Sequence, residues 1–232
     1  MVSMKKKKTD KKKLAILPSI LTEDMTEAAS QLQLAAQAGL QTVQIDIIDG
    51  FYADNLTLTP ADYAFLDFDQ LNADFHLMVE EPMDYVYELI DFKAQLPIRV
   101  VIAQIEKMSS QENYVKLVRD QGWQVGLSLD LYTPLDSIDE EVLSKLDVIQ
   151  VMSVEAGQQG QKFSEHIWSL IDQVVEYRAK NQFDFQIIVD GGINVVKMKK
   201  LKKLGVDSVA IGSALWQSDD FAATYAKMNQ VC

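Results

Sequence analysis

The chain has 232 residues, 48% of them hydrophobic and 9% aromatic, with a net charge of −12; that length suits one large domain, and the apolar fraction can fill a sizeable core. The acidic balance argues against nucleic-acid binding, and no apolar run approaches the ~18 residues of a membrane span. A single cysteine, Cys232, excludes an intrachain disulfide and fits a reducing cytosol.

The charge is uneven. Seven lysines fall between Lys5 and Lys13 with only Asp10 opposing them, and without this tail the remainder carries a net charge of −18. Like-charge runs of this kind stay solvated, so residues 1–13 are expected to form a disordered extension ahead of a domain spanning 14–232. No apolar stretch of the secretory type follows the lysines.

From there, apolar runs alternate with amphipathic ones. Strands are expected at Leu14–Ile20, Thr42–Ile48, Ala73–Val79, Ile98–Gln104, Trp123–Asp130, Val148–Val154, Phe185–Asp190 and Val206–Gly212. Helices are expected at Asp24–Gln37, Pro82–Ala94, Ser110–Gln121, Leu135–Lys145, Ser164–Lys180, Val195–Leu204 and Asp219–Met228, with a less regular segment at Leu56–Leu66. Asp24 and Glu27 have the spacing of a capping box, Pro82 suits a first helical turn, and Gly39, Gly122 and Gly205 follow helical patterns as left-handed terminators do. Strand then helix, repeated eight times at roughly 25–30 residues per unit, implies parallel pairing through right-handed crossovers and closure into a single (β/α)8 TIM barrel.

Chemistry in such a barrel gathers at the C-terminal ends of the strands. Alternation puts Gln44 and Asp46 on one face of the second strand and His76 and Met78 on one face of the third. Asp190 ends the seventh strand. Three potential ligands or bases, Asp46, His76 and Asp190, thus converge on one mouth, and buried carboxylates are costly there without a partner or an ion. Gly191-Gly192 and Gly212-Ser213 follow strands seven and eight, where bare backbone N–H groups favour an anion. The polar loop Met152-Ser153-Val154-Glu155-Ala156-Gly157-Gln158-Gln159-Gly160-Gln161 follows strand six and is placed to close over a ligand.

These segments, in this order, resemble the ribulose-phosphate 3-epimerase family. The resemblance runs from about Leu14 to Leu215. It rests on Pro18-Ser19-Ile20-Leu21, Asp46-Ile47-Ile48-Asp49-Gly50 with Asn55, His76-Leu77-Met78, Met152-Ser153-Val154 with Gly157 and Gly160-Gln161, Val189-Asp190-Gly191-Gly192-Ile193, and Gly212-Ser213-Ala214. It implies a cytoplasmic phosphosugar barrel that interconverts D-ribulose 5-phosphate and D-xylulose 5-phosphate in the pentose phosphate pathway, through an enediolate. Asp46 and Asp190 become the acid–base pair and, with His76, ligands of a divalent metal (zinc, manganese, iron or cobalt). Ser19, Met78 and Met152 become pocket residues. Gly191, Gly192, Gly212 and Ser213 become the phosphate cradle, and Gly157 and Gly160 belong to the mobile loop. The same resemblance is the ground for expecting self-association.

The chain departs from the family pattern at the mouth. Gln44 stands where a metal-binding histidine is usual, Gln104 where a histidine is common, and Ala156-Gly157-Gln158-Gln159-Gly160-Gln161 replaces Pro-Gly-Phe-Gly-Gly-Gln. A neutral amide is a poorer ligand than imidazole, so a weakened or absent metal is one expectation. In that case Gln44 would donate an N–H to the enediolate. Two alternatives follow: another ketose phosphate as substrate, such as a hexulose 6-phosphate, or a phosphate-binding barrel without catalysis.

Overall fold

The computed structural model describes residues 13–231; the lysine-rich extension, apart from Lys13, and Cys232 lie outside them. Eight parallel strands close into a barrel in sequence order. They are β1 (Ala15–Ile20), β2 (Thr42–Ile48), β3 (Asn72–Met78), β4 (Ile98–Gln104), β5 (Gln124–Leu129), β6 (Val148–Met152), β7 (Gln186–Asp190) and β8 (Ser208–Ile211), with β8 pairing back onto β1. The helices are α1 (Met25–Gln37), α2 (Pro60–Tyr63), α3 (Pro82–Asp91), α4 (Gln111–Asp120), α5 (Glu140–Leu143), α6 (Ile167–Asn181), α7 (Val195–Leu204), α8 (Ser213–Trp216) and α9 (Phe221–Asn229). The expected (β/α)8 barrel is therefore present.

Alternation along each strand sorts residues between two cores. Outward positions such as Val43, Ile45, Phe75, Val101, Ile149 and Val209 pack under the helices. Inward positions Leu17, Val100, Ile102, Val148, Ile188 and Ala210 form a separate apolar plug inside the barrel. Gly126 of β5 faces this plug, where a Cβ would come within 2.9 Å of Ile102 and 3.0 Å of Val148, so only glycine fits. A bulge between Ala73 and Asp74 frees Arg99 from the ladder, and Arg99 forms an ion pair with buried Asp74.

Two local expectations are corrected. Asp24 does cap α1, accepting from the N–H groups of Thr26 and Glu27, but Glu27 turns away to accept from Thr22 Oγ1 at 2.6 Å and Gln31 Nε2 at 3.0 Å, so no capping box forms there. The box occurs instead at Thr59 and Asp62, opening α2. The helix expected at Leu135–Lys145 breaks into a 3-10 turn, Leu135–Ser137, and α5, because Ile138 is extended (φ −85°, ψ 127°). Gln111 bridges that break, donating to the Ser137 carbonyl and accepting from the Asp139 N–H. Gly39, Gly122 and Gly205 are all left-handed, with φ of 74°, 80° and 97°. Among the described residues, no helix is long and apolar enough to cross a membrane.

Candidate active site

The strand ends lift their last inward residues above the apolar plug. β2 and β3 run in register with Asp46 opposite His76, and β6 and β7 with Met152 opposite Asp190. The supports beneath are specific. Thr57 accepts from the Ile48 N–H at 2.9 Å and donates to the Asp46 carbonyl at 3.1 Å, fixing the end of β2. The Ser153 hydroxyl lies 2.8 Å from the Asp190 carbonyl and 2.5 Å from that of Gly191, fixing the end of β7. Asp49 is structural, accepting from the N–H groups of Phe51, Tyr52 and Glu80.

Asp46, His76 and Asp190 meet as expected. Each offers one ligand atom, and those atoms lie within 4.8 Å of one another. His76 Nδ1 is 2.9 Å from Asp46 Oδ1 and 3.7 Å from Asp190 Oδ2. Gln44 Nε2 lies between the carboxylates, donating to Asp46 Oδ1 at 2.8 Å and Asp190 Oδ2 at 2.7 Å. All four side chains are buried. Burial pushes the Asp190 carboxyl up to about 7, and the neighbouring charge of Asp46 acts in the same direction, opposed by His76 and Gln44.

Gln104 sits behind the imidazole. Its neighbours orient its amide to donate to the Ser128 carbonyl and to Glu106 Oε2, both at 3.1 Å, and to accept from the Ser128 hydroxyl at 3.2 Å. That leaves its carbonyl oxygen facing His76 Nε2, 3.4 Å away. The arrangement favours the Nε2–H form of His76, with the Nδ1 lone pair aimed at the carboxylates. A lone pair and a carboxylate oxygen at 2.9 Å repel unless a proton or a cation lies between them.

Ser19, Asp46, Met78, Met152, Gly157, Gly160, Asp190, Gly191, Gly192, Gly212 and Ser213 all line one cavity of about 50 Å³, while His76 and Gln44 lie outside its lining. Gly191 and Gly192 have φ of 107° and 59°, and a Cβ on Gly192 would come within 2.3 Å of the Phe163 nitrogen. Ser213 and Ala214 open α8, so their N–H groups have no carbonyl a turn earlier to bond. The loop after β6 covers the mouth. Asn55 Nδ2 donates to the Gly157 carbonyl at 2.6 Å, and the Gln159 amide reaches toward the Leu21 carbonyl. With the loop in this position the space at the mouth is narrow, and a loop so placed can open to admit a ligand.

One residue of the site escaped sequence reasoning. Gln150, in β6, is fully buried and donates Nε2 to Asp190 Oδ2 at 3.2 Å. The available signal was its inward position two residues before Met152, a polar side chain in an otherwise apolar strand.

A closed parallel barrel with a carboxylate–imidazole–carboxylate centre and a glycine-lined cavity at its C-terminal mouth defines a (β/α)8 protein suited to proton transfer on an anionic ligand. Comparison with known proteins narrows this class. The model of the ribulose-phosphate 3-epimerase family matches residues 15–216. The ribulose-phosphate 3-epimerase of Buchnera aphidicola is 31% identical over 95% of this chain and 96% of its own length. That of Escherichia coli K12 is 31% identical over 94% and 95%, and that of Bacillus subtilis 28% over 89% and 94%. The chain belongs to the ribulose-phosphate 3-epimerase family. Among solved structures, 3-hexulose-6-phosphate synthase from Salmonella typhimurium superposes with a TM-score of 0.68 at 15% identity, covering 94% of this chain and 98% of its own, a likeness of fold alone.

Proposed function

We propose that Asp46 and Asp190 are the acid–base pair with which this epimerase interconverts D-ribulose 5-phosphate and D-xylulose 5-phosphate. The observation that carries the reading is that both carboxylates line one cavity and share one amide donor. Epimerisation beside a carbonyl needs a base on one face of the carbon and an acid on the other. One carboxylate takes the C3 proton, leaving an enediolate. The other, already protonated, returns a proton to the opposite face, and the two exchange roles in the reverse direction. Asp190 is the natural holder of the resting proton, because burial and Asp46 both disfavour its charge.

Each carboxylate uses one oxygen for the scaffold. Asp46 Oδ1 and Asp190 Oδ2 accept from Gln44, which leaves Asp46 Oδ2 and Asp190 Oδ1 to carry protons. The phosphate is placed against Gly191, Gly192, Gly212 and Ser213, where the absence of side chains lets backbone N–H groups approach it. Ser19, Met78 and Met152 line the sugar's path, and Gly157 and Gly160 let the loop open and shut.

The donor set fits a divalent cation. Two carboxylates and an imidazole lone pair converge, and their 2.9 and 3.7 Å separations bracket the ~3.4 Å edge of a tetrahedron built from ~2.1 Å bonds. Gln44 Oε1 is buried without a hydrogen-bond partner among the described residues, so a half-turn of that amide presents a fourth oxygen. Asp46, His76, Asp190 and Gln44 would hold the ion. Three oxygens and one nitrogen suit manganese, iron or cobalt as well as zinc. When bound, it supplies Lewis-acid stabilisation of the enediolate charge, worth several kcal/mol. A doubly charged substrate and a lone cysteine support a cytosolic enzyme.

The test is turnover of D-ribulose 5-phosphate by the full chain supplemented with manganese or zinc, with xylulose 5-phosphate read by a stereospecific coupling enzyme. Conversion supports the reading. Turnover of a hexulose 6-phosphate but not of the pentulose would overturn it.

A further inference from the structure

We infer that Gln150 is a positioning residue for Asp190, an inference that rests on the epimerase reading above. It starts from an imbalance. Gln150 sits at an inward position of β6, directly above Val148, which belongs to the apolar plug. It is fully buried, and among the described residues its Oε1 has no hydrogen-bond partner. A buried, unsatisfied amide oxygen is destabilising, and leucine or methionine would fill the same space without that penalty. Packing therefore does not account for this glutamine.

What the amide does make is directed. Its Nε2 donates to Asp190 Oδ2 at 3.2 Å and lies 3.8 Å from Met152 Sδ. Gln44 donates to the same Asp190 Oδ2 at 2.7 Å. Two N–H groups from β2 and β6, on different sides of β7's carboxylate, thus converge on one oxygen. A single donor leaves a carboxylate free to swing about its terminal bond; two donors fix its plane. With Oδ2 held by Gln150 and by either the Gln44 amide or a cation toward which that amide has turned, Oδ1 is the oxygen turned to the substrate carbon. Gln150 is not part of the cavity lining and, on this reading, does not touch the sugar; it acts through Asp190.

The experiment compares full-length wild-type, Gln150→Leu and Gln150→Met enzymes, each loaded with manganese. Both substitutions conserve volume and remove the donor. Loss of the orphaned Oε1 should leave the thermal midpoint unchanged or higher. KM for ribulose 5-phosphate should stay within about twofold, and kcat should fall about ten- to a hundredfold, the scale expected for misplacing a reacting group. The decisive readout is taken in deuterated water. Asp46 is untouched, so the epimer it deprotonates should exchange its C3 hydrogen with solvent faster than it is converted, while the other epimer should not. If kcat stays at the wild-type value, or if the midpoint and kcat fall together with no difference between epimers, Gln150 is a packing residue and the inference fails. An inactive wild-type enzyme would instead count against the epimerase reading itself.

Discussion

Gly212→Ala is the cleanest perturbation of the proposed phosphate cradle. Gly212 has φ of −95°, so no left-handed conformation is at stake. An added Cβ would lie 3.1 Å from Ser19 Oγ and 3.2 Å from the side-chain amide of Gln159. Both neighbours are ends of mobile side chains that can shift a few tenths of an ångström, so the fold should tolerate the methyl. The Gln159 amide is the group an entering phosphate must replace beside Gly212. A methyl at that point holds the phosphate away from the backbone N–H groups of the turn. Losing one charge-assisted hydrogen bond costs about 1.5–3 kcal/mol, or roughly 10- to 150-fold in apparent affinity. KM for ribulose 5-phosphate and the inhibition constant of inorganic phosphate should both rise by that factor. The thermal midpoint should move by less than about 3 °C, the shift for roughly 1 kcal/mol in a domain of this size. Steady-state kinetics with phosphate competition and a melting curve suffice. An unchanged KM with unchanged phosphate inhibition would show that the anion binds elsewhere.

Asp190→Asn and Asp46→Asn should each lower kcat by about 10³-fold, because an amide cannot accept the C3 proton, while KM stays within about threefold; a variant retaining a tenth of wild-type kcat would refute the assignment. Gln44→His should convert a site that loses metal on gel filtration into one that retains near-stoichiometric zinc, measured by elemental analysis, since imidazole binds zinc better than an amide. In chelator-treated enzyme the carboxylate pair holds one proton below about pH 7, because burial and the Asp46 charge raise Asp190 to about 7. Raising pH through that value removes the acid partner, so kcat/KM should fall on the alkaline side with a midpoint belonging to the pair as a whole. A profile flat from pH 6 to pH 9 would contradict it.

Much of this was readable from residue order. The eight strands were legible because Val, Ile and Leu recur in short runs between amphipathic stretches, with Asp-Gly, Gly-Gly and Gly-Ser marking the ends of β2, β7 and β8, and parallel closure follows from the repeat. The Asp46, His76 and Asp190 cluster was legible because period-2 alternation fixes which strand residues face inward, and the barrel brings distant strand ends together. Capping at Glu27 was misread because Thr22 and Gln31 compete for its carboxylate, and only the folded chain shows those partners. The break after Ser137 depends on Gln111, more than twenty residues earlier. Gln150 was missed because one polar residue inside Val148–Met152 has no local pattern; its meaning comes from Asp190, 40 residues on. The orientation of Gln104 likewise depends on Ser128 and Glu106, which alternation alone does not bring together.

Proton transfer between two carboxylates at one carbon is read out by converting D-ribulose 5-phosphate in deuterated water and locating the label by NMR. Xylulose 5-phosphate should carry deuterium at C3, with that incorporation lost in both Asp46→Asn and Asp190→Asn. Conversion without solvent deuterium at C3, or with label at C1 instead, would contradict it.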